Sequence, residues 1–305
     1  MVDRVLVTLD GADRDPDAPL LYADDMGALR GDGVFETVLV RSGVACALEF
    51  HLGRLRRSAQ ALDLPDPELG RWRAAVERAA EQWGTEREGM LRMIYTRGRD
   101  GDQPAAPAKV TSGDLAALTR PTAYVLVAPV PARVVAARAD GIAVQTLSRG
   151  ISIDLAQAAP WQLLGAKTLS YATNMAALRF AHRMGADDVI FTSTENRVLE
   201  GPRSTVVIAR DRTLLTPPAK NGVLPGVTQR ALFVEAGKAG WDCRYESLYT
   251  ADLLTCDSVW LLSSITLAAR VNSLDGLRMS APENAAEIID LVDRGVARSG
   301  AVGDW

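Results

Sequence analysis

Apolar positions recur along this chain with two different periods, and each stretch predicts an element. Residues 5–9 form a short apolar run that predicts a strand, and residues 36–40 and 44–48 predict two more, joined by the turn residues Ser42 and Gly43. Residues 51–62 and 67–83 carry helical spacing, and residues 90–97 (MLRMIYTR) return to strand. Residues 98–120 are rich in Gly, Pro, Ala and polar side chains, which predicts a long loop with one short helical turn. A near-continuous apolar run over 124–130 predicts a further strand. Pro129 and Pro131 mark a linker after it, because proline removes a ladder donor and stiffens the connection.

The pattern restarts in the second half with a strand at 142–147 and a helix over 171–184 closed by Gly185. Strands are predicted at 188–192, 204–209 and 256–262, and helices at 227–239 and 282–297. Strands and helices mix without a regular βαβ rhythm, which predicts an α+β chain rather than a doubly wound one. The expected organisation is an N-terminal α/β domain over 1–130, a linker over 131–139 with the boundary near 135, and a C-terminal domain over 140–305.

Composition narrows the function classes. The 305 residues suffice for one large or two medium domains, and the net charge of −4 with dispersed arginines and no basic run predicts no nucleic-acid partner. No apolar stretch reaches the length of about 18 residues that a membrane span needs, and MVDRVLVTLDGADRD lacks a signal-peptide pattern, so no membrane partner and a cytoplasmic location are expected. Cys46, Cys243 and Cys256 are too few for a disulfide framework, and with only His51 and His182 beside them no metal site is expected.

Lysine is scarce, with Lys109, Lys167, Lys220 and Lys238 set against 30 arginines. Lys167 lies between Leu163, Leu164 and Leu169 rather than among charges, and Glu200 follows 33 residues later, before Gly201. An aldehyde cofactor needs a lysine amine for its Schiff base and a carboxylate beside its pyridine nitrogen, and this segment offers one of each. The competing phosphate motif is incomplete: LLGAKT at 163–168 ends like a P-loop but has Ala166 where the glycine belongs. No GxSxG or histidine-based triad occurs.

Several short motifs then line up: GDGVFETV at 31–38, HLGRLRRSA at 51–59, Lys167 with Tyr171 and Asn174, VLEG at 198–201, LPGVTQRAL at 224–232 and LLSSITLAARVNSLDG at 261–276. Together they resemble the fold type IV pyridoxal phosphate enzymes, which include branched-chain and D-amino acid aminotransferases and 4-amino-4-deoxychorismate lyases. The resemblance implies a smaller N-terminal α/β domain, a larger cofactor-binding domain with a mixed, barrel-like sheet, a small-molecule substrate and a homodimer. It makes Lys167 the catalytic amine. It puts Arg54, Val227, Thr228 and Ser264 on the cofactor phosphate, Glu200 beside the pyridine nitrogen and Tyr171 near the lysine. A guanidinium fork and a helix N-terminus are both suited to a phosphate dianion.

The resemblance also points Phe35 and Thr37 into the substrate site. Arg97 in YTRG looks like the lyase and D-amino acid aminotransferase branches, where it clamps a substrate carboxylate. Arg203 in GPRST offers a second carboxylate contact, and aminodeoxychorismate carries two carboxylates. The expected activity is therefore that of a 4-amino-4-deoxychorismate lyase in folate synthesis. A D-amino acid aminotransferase is the alternative, and a branched-chain one ranks lower. A degenerate member serving as a scaffold is disfavoured, because Arg54, Lys167, Glu200 and Thr228 are all present.

Overall fold

The computed structural model describes residues 3–102 and 120–298, so residues 103–119 of the expected long loop lie outside the described residues. The chain divides into two compact units: residues up to Val130 with Ala166–Tyr171 belong to the first, and Pro131–Gly165 with Ala172–Arg298 to the second.

In the first unit, strands β1 (Val5–Thr8), β2 (Asp13–Arg14), β3 (Gly33–Arg41), β4 (Val44–Ala45), β5 (Gly89–Thr96) and β6 (Thr122–Pro129) form an antiparallel sheet in the order β2-β1-β6-β5-β3-β4. Its registers align Val7 with Val125, Ile94 with Tyr124 and Met93 with Val125, while β3 sets Glu36 opposite Met93 and Val38 opposite Leu91. One face of the sheet is therefore an apolar row, Val7, Val125 and Met93, that ends on a carboxylate, Glu36. Helices α1 (Met26–Arg30), α2 (Leu48–Ala61) and α3 (Leu69–Trp83) accompany the sheet, and α3 buries Trp72, Ala75, Val76, Ala79 and Trp83 at helical spacing. The strand expected over 44–48 stops at Ala45, because Ala47 takes a left-handed φ of 54° and α2 begins at Leu48.

The second unit opens with α4 (Ala132–Asp140), a helix lying where the sequence suggests a linker; Pro131 is its N-cap residue, which needs no N–H for the helix ladder. Strands β7 (Ile142–Ser148), β8 (Asp188–Thr192), β9 (Thr205–Arg210), β10 (Thr213–Thr216), β11 (Asp242–Tyr245), β12 (Ser258–Ser263), β13 (Leu267–Leu274) and β14 (Leu277–Arg278) build a mixed sheet. Their order is β11-β10-β9-β12-β13-β7-β8, with β14 paired to β13. The β10/β11, β13/β7 and β7/β8 pairs are parallel, whereas β9, β10, β12 and β13 pair antiparallel along their run.

Alternation along β8 separates two cores. Ile190 packs with Val144, Ile208, Val259 and Val271, whereas Val189 and Phe191 pack with Ala181, Leu199 and Val223. Ala181 belongs to α6 (Ala172–Arg183), which follows the short α5 (Leu155–Ala158). Helix α7 (Val227–Lys238), short α8 (Thr250–Thr255) and α9 (Ala285–Arg298) complete the unit. A Cβ on Gly295 of α9 would stand 2.5 Å from the Ala231 carbonyl oxygen of α7, so glycine permits this helix contact. No helix among the described residues is long and apolar enough to cross a membrane, and among them no His, Cys, Asp and Glu cluster suited to a metal occurs.

Candidate active site

The Lys167 segment continues the edge of β3. The Phe35 N–H donates to the Lys167 carbonyl at 3.1 Å, the Leu169 N–H donates to the Gly33 carbonyl at 2.8 Å, and Val34 bridges Thr168 antiparallel. From α2, the Ser58 hydroxyl accepts the Lys167 N–H at 3.0 Å. These contacts fix the Lys167 backbone, and its side chain is nine-tenths buried. Its Nζ lies 4.4 Å from the Phe35 ring centroid and 5.7 Å from that of Tyr171, and the two rings meet edge to face at 5.2 Å. An amine set against two aromatic rings is partly stripped of water yet keeps a favourable quadrupole contact. Thr37 is two residues along β3 from Phe35, on the same face of the sheet, opposite Arg92.

The GDG turn lets this approach happen. Gly31 closes α1 with a φ of 68°, and a Cβ on Gly33 would stand 2.7 Å from the Tyr95 carbonyl oxygen and 2.8 Å from Leu169 Cδ1. Asp32 between them is gripped by Arg97, with Nε 2.7 Å from Oδ2 and Nη2 3.2 Å from Oδ1. Arg97 also donates to the carbonyls of Leu62 at 2.6 Å and Asp63 at 3.3 Å. The structure thus places this expected substrate clamp as a brace between the GDG turn and the end of α2.

Arg54 is buried on α2 and meets Glu36 side-on, Nε to Oε1 at 2.7 Å and Nη2 to Oε2 at 2.8 Å. His51, one helical turn earlier, approaches Glu36 Oε2 through Nδ1 at 2.7 Å. Burial by itself would raise the Glu36 carboxyl, but the Arg54 charge and hydrogen bonds, with His51 added, hold it well below the usual carboxylate range. Burial pushes His51 below its ordinary value more than Glu36 draws it up, and the Arg54 and Lys167 charges add to the lowering. A neutral imidazole beside an ionised carboxylate must carry its proton on Nδ1.

In the second unit Glu200 follows the turn after β8. Its Oε1 accepts from Arg149 Nη1 at 3.0 Å and its Oε2 from the Leu224 N–H at 2.9 Å. Arg149 in turn lies 5.4 Å from the Phe191 ring centroid and donates its backbone N–H to Thr192. Val227 and Thr228, both buried, open α7 behind an N-cap glycine, Gly226, where a Cβ would collide with Thr205 Oγ1. The first N–H groups of a helix have no partner inside it and carry its positive end. Ser264 sits in the β12–β13 turn, two residues past Leu262, which pairs with Thr205, so Ser264, Thr205 and Gly226 share one end of the sheet. Arg203 reaches Asp188 at 3.5 Å; burial raises the Asp188 carboxyl and this guanidinium only partly offsets it.

Sequence reading missed Glu36, His51, Ser58 and Arg149. A signal existed for the first three: an acid between Val34 and Val38 in an apolar strand needs a buried cation, and His51, Arg54 and Ser58 share one face of a helix. Arg149 carries none, because its partner Glu200 is distant in sequence.

The donors of each unit are of the kinds pyridoxal phosphate takes: in the first a shielded primary amine and a buried guanidinium, in the second a helix N-terminus suited to a dianion and a fixed carboxylate suited to a pyridinium. Comparison with known proteins agrees. The family model for amino-transferase class IV matches residues 33–274. A Mycobacterium tuberculosis protein named bifunctional aminodeoxychorismate lyase / D-amino acid transaminase is 52% identical over 301 residues, covering 96% of this chain and 99% of that one. The PLP-bound form of a hypothetical aminotransferase from M. tuberculosis is 53% identical, with a TM-score of 0.89 over 96% of this chain and 98% of that one. A fold IV-transaminase from Curtobacterium pusillum is 37% identical, with a TM-score of 0.87 over 98% and 99%. With its α+β, two-unit architecture matching solved fold type IV enzymes, the chain belongs to the class IV aminotransferases, a pyridoxal phosphate-dependent family.

Proposed function

We propose that this enzyme is a 4-amino-4-deoxychorismate lyase, converting its substrate to 4-aminobenzoate and pyruvate with pyridoxal 5'-phosphate in folate biosynthesis. The reading rests on one observation above the rest: the buried Lys167 Nζ lies against the Phe35 and Tyr171 rings in a chain 52% identical to a relative named for that activity. When bound, the cofactor supplies an aldehyde carbon open to amines and a pyridinium ring that withdraws electrons. Lys167 would hold the cofactor through Nζ, and the same amine, once free, would take the proton from the ring carbon bearing the substrate nitrogen. Glu200 keeps the ring nitrogen protonated, with Arg149 and the Leu224 N–H holding its carboxylate oxygens in place. Arg54, Val227, Thr228 and Ser264 take the phosphate, and Tyr171 shapes the space around Nζ.

Phe35 and Thr37 face the substrate, and Arg97 and Arg203 are its carboxylate partners in this reading, each exchanging for a substrate carboxylate the one it holds in the structure, Asp32 and Asp188 respectively. A proton delivered to the enolpyruvyl group as its C–O bond breaks releases pyruvate and leaves an aromatic ring. The atoms balance with no amino acceptor. A D-amino acid transaminase activity is the second reading, favoured by the joint name of the 52% relative; there Nζ would both remove and redeliver the proton. Both reactions share the first proton removal at Lys167, and the same reading makes the enzyme a homodimer, which sedimentation velocity would register as two chains.

Purified holoenzyme incubated with aminodeoxychorismate decides the point. Formation of 4-aminobenzoate and pyruvate without added keto acid is expected. No 4-aminobenzoate, alongside amino transfer from D-alanine to 2-oxoglutarate, would leave the transaminase alone.

A further inference from the structure

Glu36 stands in a place that sheet packing would fill with an apolar side chain. The register continues the row Val7, Val125 and Met93 directly onto it, and it is fully buried. A buried ion pair is seldom more stable than apolar residues of similar volume, so cohesion does not account for it. Its contacts are directional instead. Oε1 accepts Arg54 Nε, and Oε2 accepts both Arg54 Nη2 and His51 Nδ1. Side-on pairing fixes the plane of the guanidinium and occupies one edge of it. That edge is the one made by Nε and Nη2, and Nη1 lies on the opposite side of the guanidinium. The same helix face carries Ser58, which holds the Lys167 backbone.

We propose that Glu36 and His51 are positioning residues that set the plane of Arg54 for the phosphate of the cofactor. This rests on the reading above that Arg54 binds that phosphate. His51 shares the second carboxylate oxygen with Arg54 and so fixes the carboxylate as the carboxylate fixes the guanidinium. A structural ion pair alone would support every ligand of the unit equally. A positioning pair acts on the phosphate and on nothing else.

The test compares pyridoxal phosphate with pyridoxal, which lacks the phosphate, by equilibrium binding and by borohydride fixation of each onto Lys167. Wild-type enzyme is expected to bind the phosphorylated form far more tightly. In Glu36→Gln and His51→Ala that ratio should fall by about tenfold or more, with pyridoxal binding nearly unchanged. His51→Asn places an amide N–H near the Nδ1 position and should restore the ratio. Should Glu36→Gln not fold, the two His51 variants decide: an undiminished ratio in His51→Ala, or equal losses in His51→Ala and His51→Asn, overturns the proposal. A wild type that does not distinguish the two ligands, or that is not fixed at Lys167, refutes the cofactor reading itself. A wild type that does, with Arg54→Gln losing the ratio while the Glu36 and His51 variants keep it, refutes only the positioning role.

Discussion

The same substitution, glycine to alanine, is expected to have opposite signs at two positions of the α7–α9 pair. At Gly295 the added methyl would stand 2.5 Å from the Ala231 carbonyl oxygen, 2.7 Å from its carbonyl carbon and 3.2 Å from its Cβ. The obstacle is mostly backbone, which cannot swing aside as a side chain can. Restoring an ordinary 3.4 Å contact would require α9 and α7 to part by about 0.9 Å. Overpacking of this kind costs about 1–3 kcal/mol, while replacing a mid-helix glycine returns about 0.5–1 kcal/mol. The net is a loss of roughly 1–2 kcal/mol, or a fall in Tm of roughly 2–8 °C for a chain of this size.

At Gly237 of α7 nothing lies within 4 Å of the added Cβ, and the residue is exposed. Only the helix-propensity gain remains there, so Gly237→Ala should raise Tm slightly. Calorimetry of the apo forms reads both. Because α7 begins with Val227 and Thr228, Gly295→Ala should also weaken retention of pyridoxal phosphate through gel filtration, and Gly237→Ala should not. A Gly295→Ala protein as stable as wild type would refute the packing argument, since the propensity gain cannot by itself offset a backbone clash.

Other perturbations test the first unit. Borohydride should fix the cofactor on wild-type enzyme but not on Lys167→Ala, which mass spectrometry of the tryptic peptide reads; label elsewhere would displace Lys167 from its role. Arg97→Gln and Asp32→Asn should each lower the unfolding free energy by about 1–3 kcal/mol in urea titrations, and the double variant by little more than either, because they break one pair; fully additive losses would separate the two residues. His51 is held below its ordinary 6.5 chiefly by burial, so as pH falls the unfolded chain binds its proton first and stability should decline below about pH 6.5. Glu36, held low in the fold, adds a further loss as pH falls below its unfolded value of 4.5. Urea midpoints measured from pH 7.5 to 5 should show the first decline in wild type and a flatter profile in His51→Asn, and identical profiles would count against a neutral buried His51.

Periodicity made most elements of the fold legible. The helix over Val227–Lys238 and the strand over Asp188–Thr192 fall where apolar spacing puts them. Misses have local causes. Strand β13 reads LAARVNSL, with two alanines and an arginine in place of β-branched residues, yet lies in the middle of its sheet because β12 and β7 flank it. β10 and β11 are four residues each, too short for a period. The left-handed Ala47 that ends β4 has no sequence signature at all. For the site, the residue types and motifs were legible and their partners were not. Asp32 meets Arg97 across 65 residues and Lys167 meets Ser58 across 109, and no local pattern encodes a contact at that separation.

The α2 helix shows why those partners matter more than the motif. His51, Arg54 and Ser58 would read as one polar face on an exposed helix, yet in the structure all three are buried and each is committed: two to Glu36 and one to the Lys167 backbone. A helix that merely closed over the sheet would present leucines there, as it does at Leu52 and Leu55. Burying two potential cations and a hydroxyl on that face is stable only because β3 supplies a carboxylate at the matching register and the Lys167 segment supplies an N–H. The requirement runs both ways. Shifting β3 by one residue would turn Glu36 to the Phe35 face, leave Arg54 buried without its anion and move the backbone that Lys167 is bonded to. Strand register, guanidinium orientation and lysine position are therefore one constraint, and a substitution that loosens any of them is expected to be read in the other two.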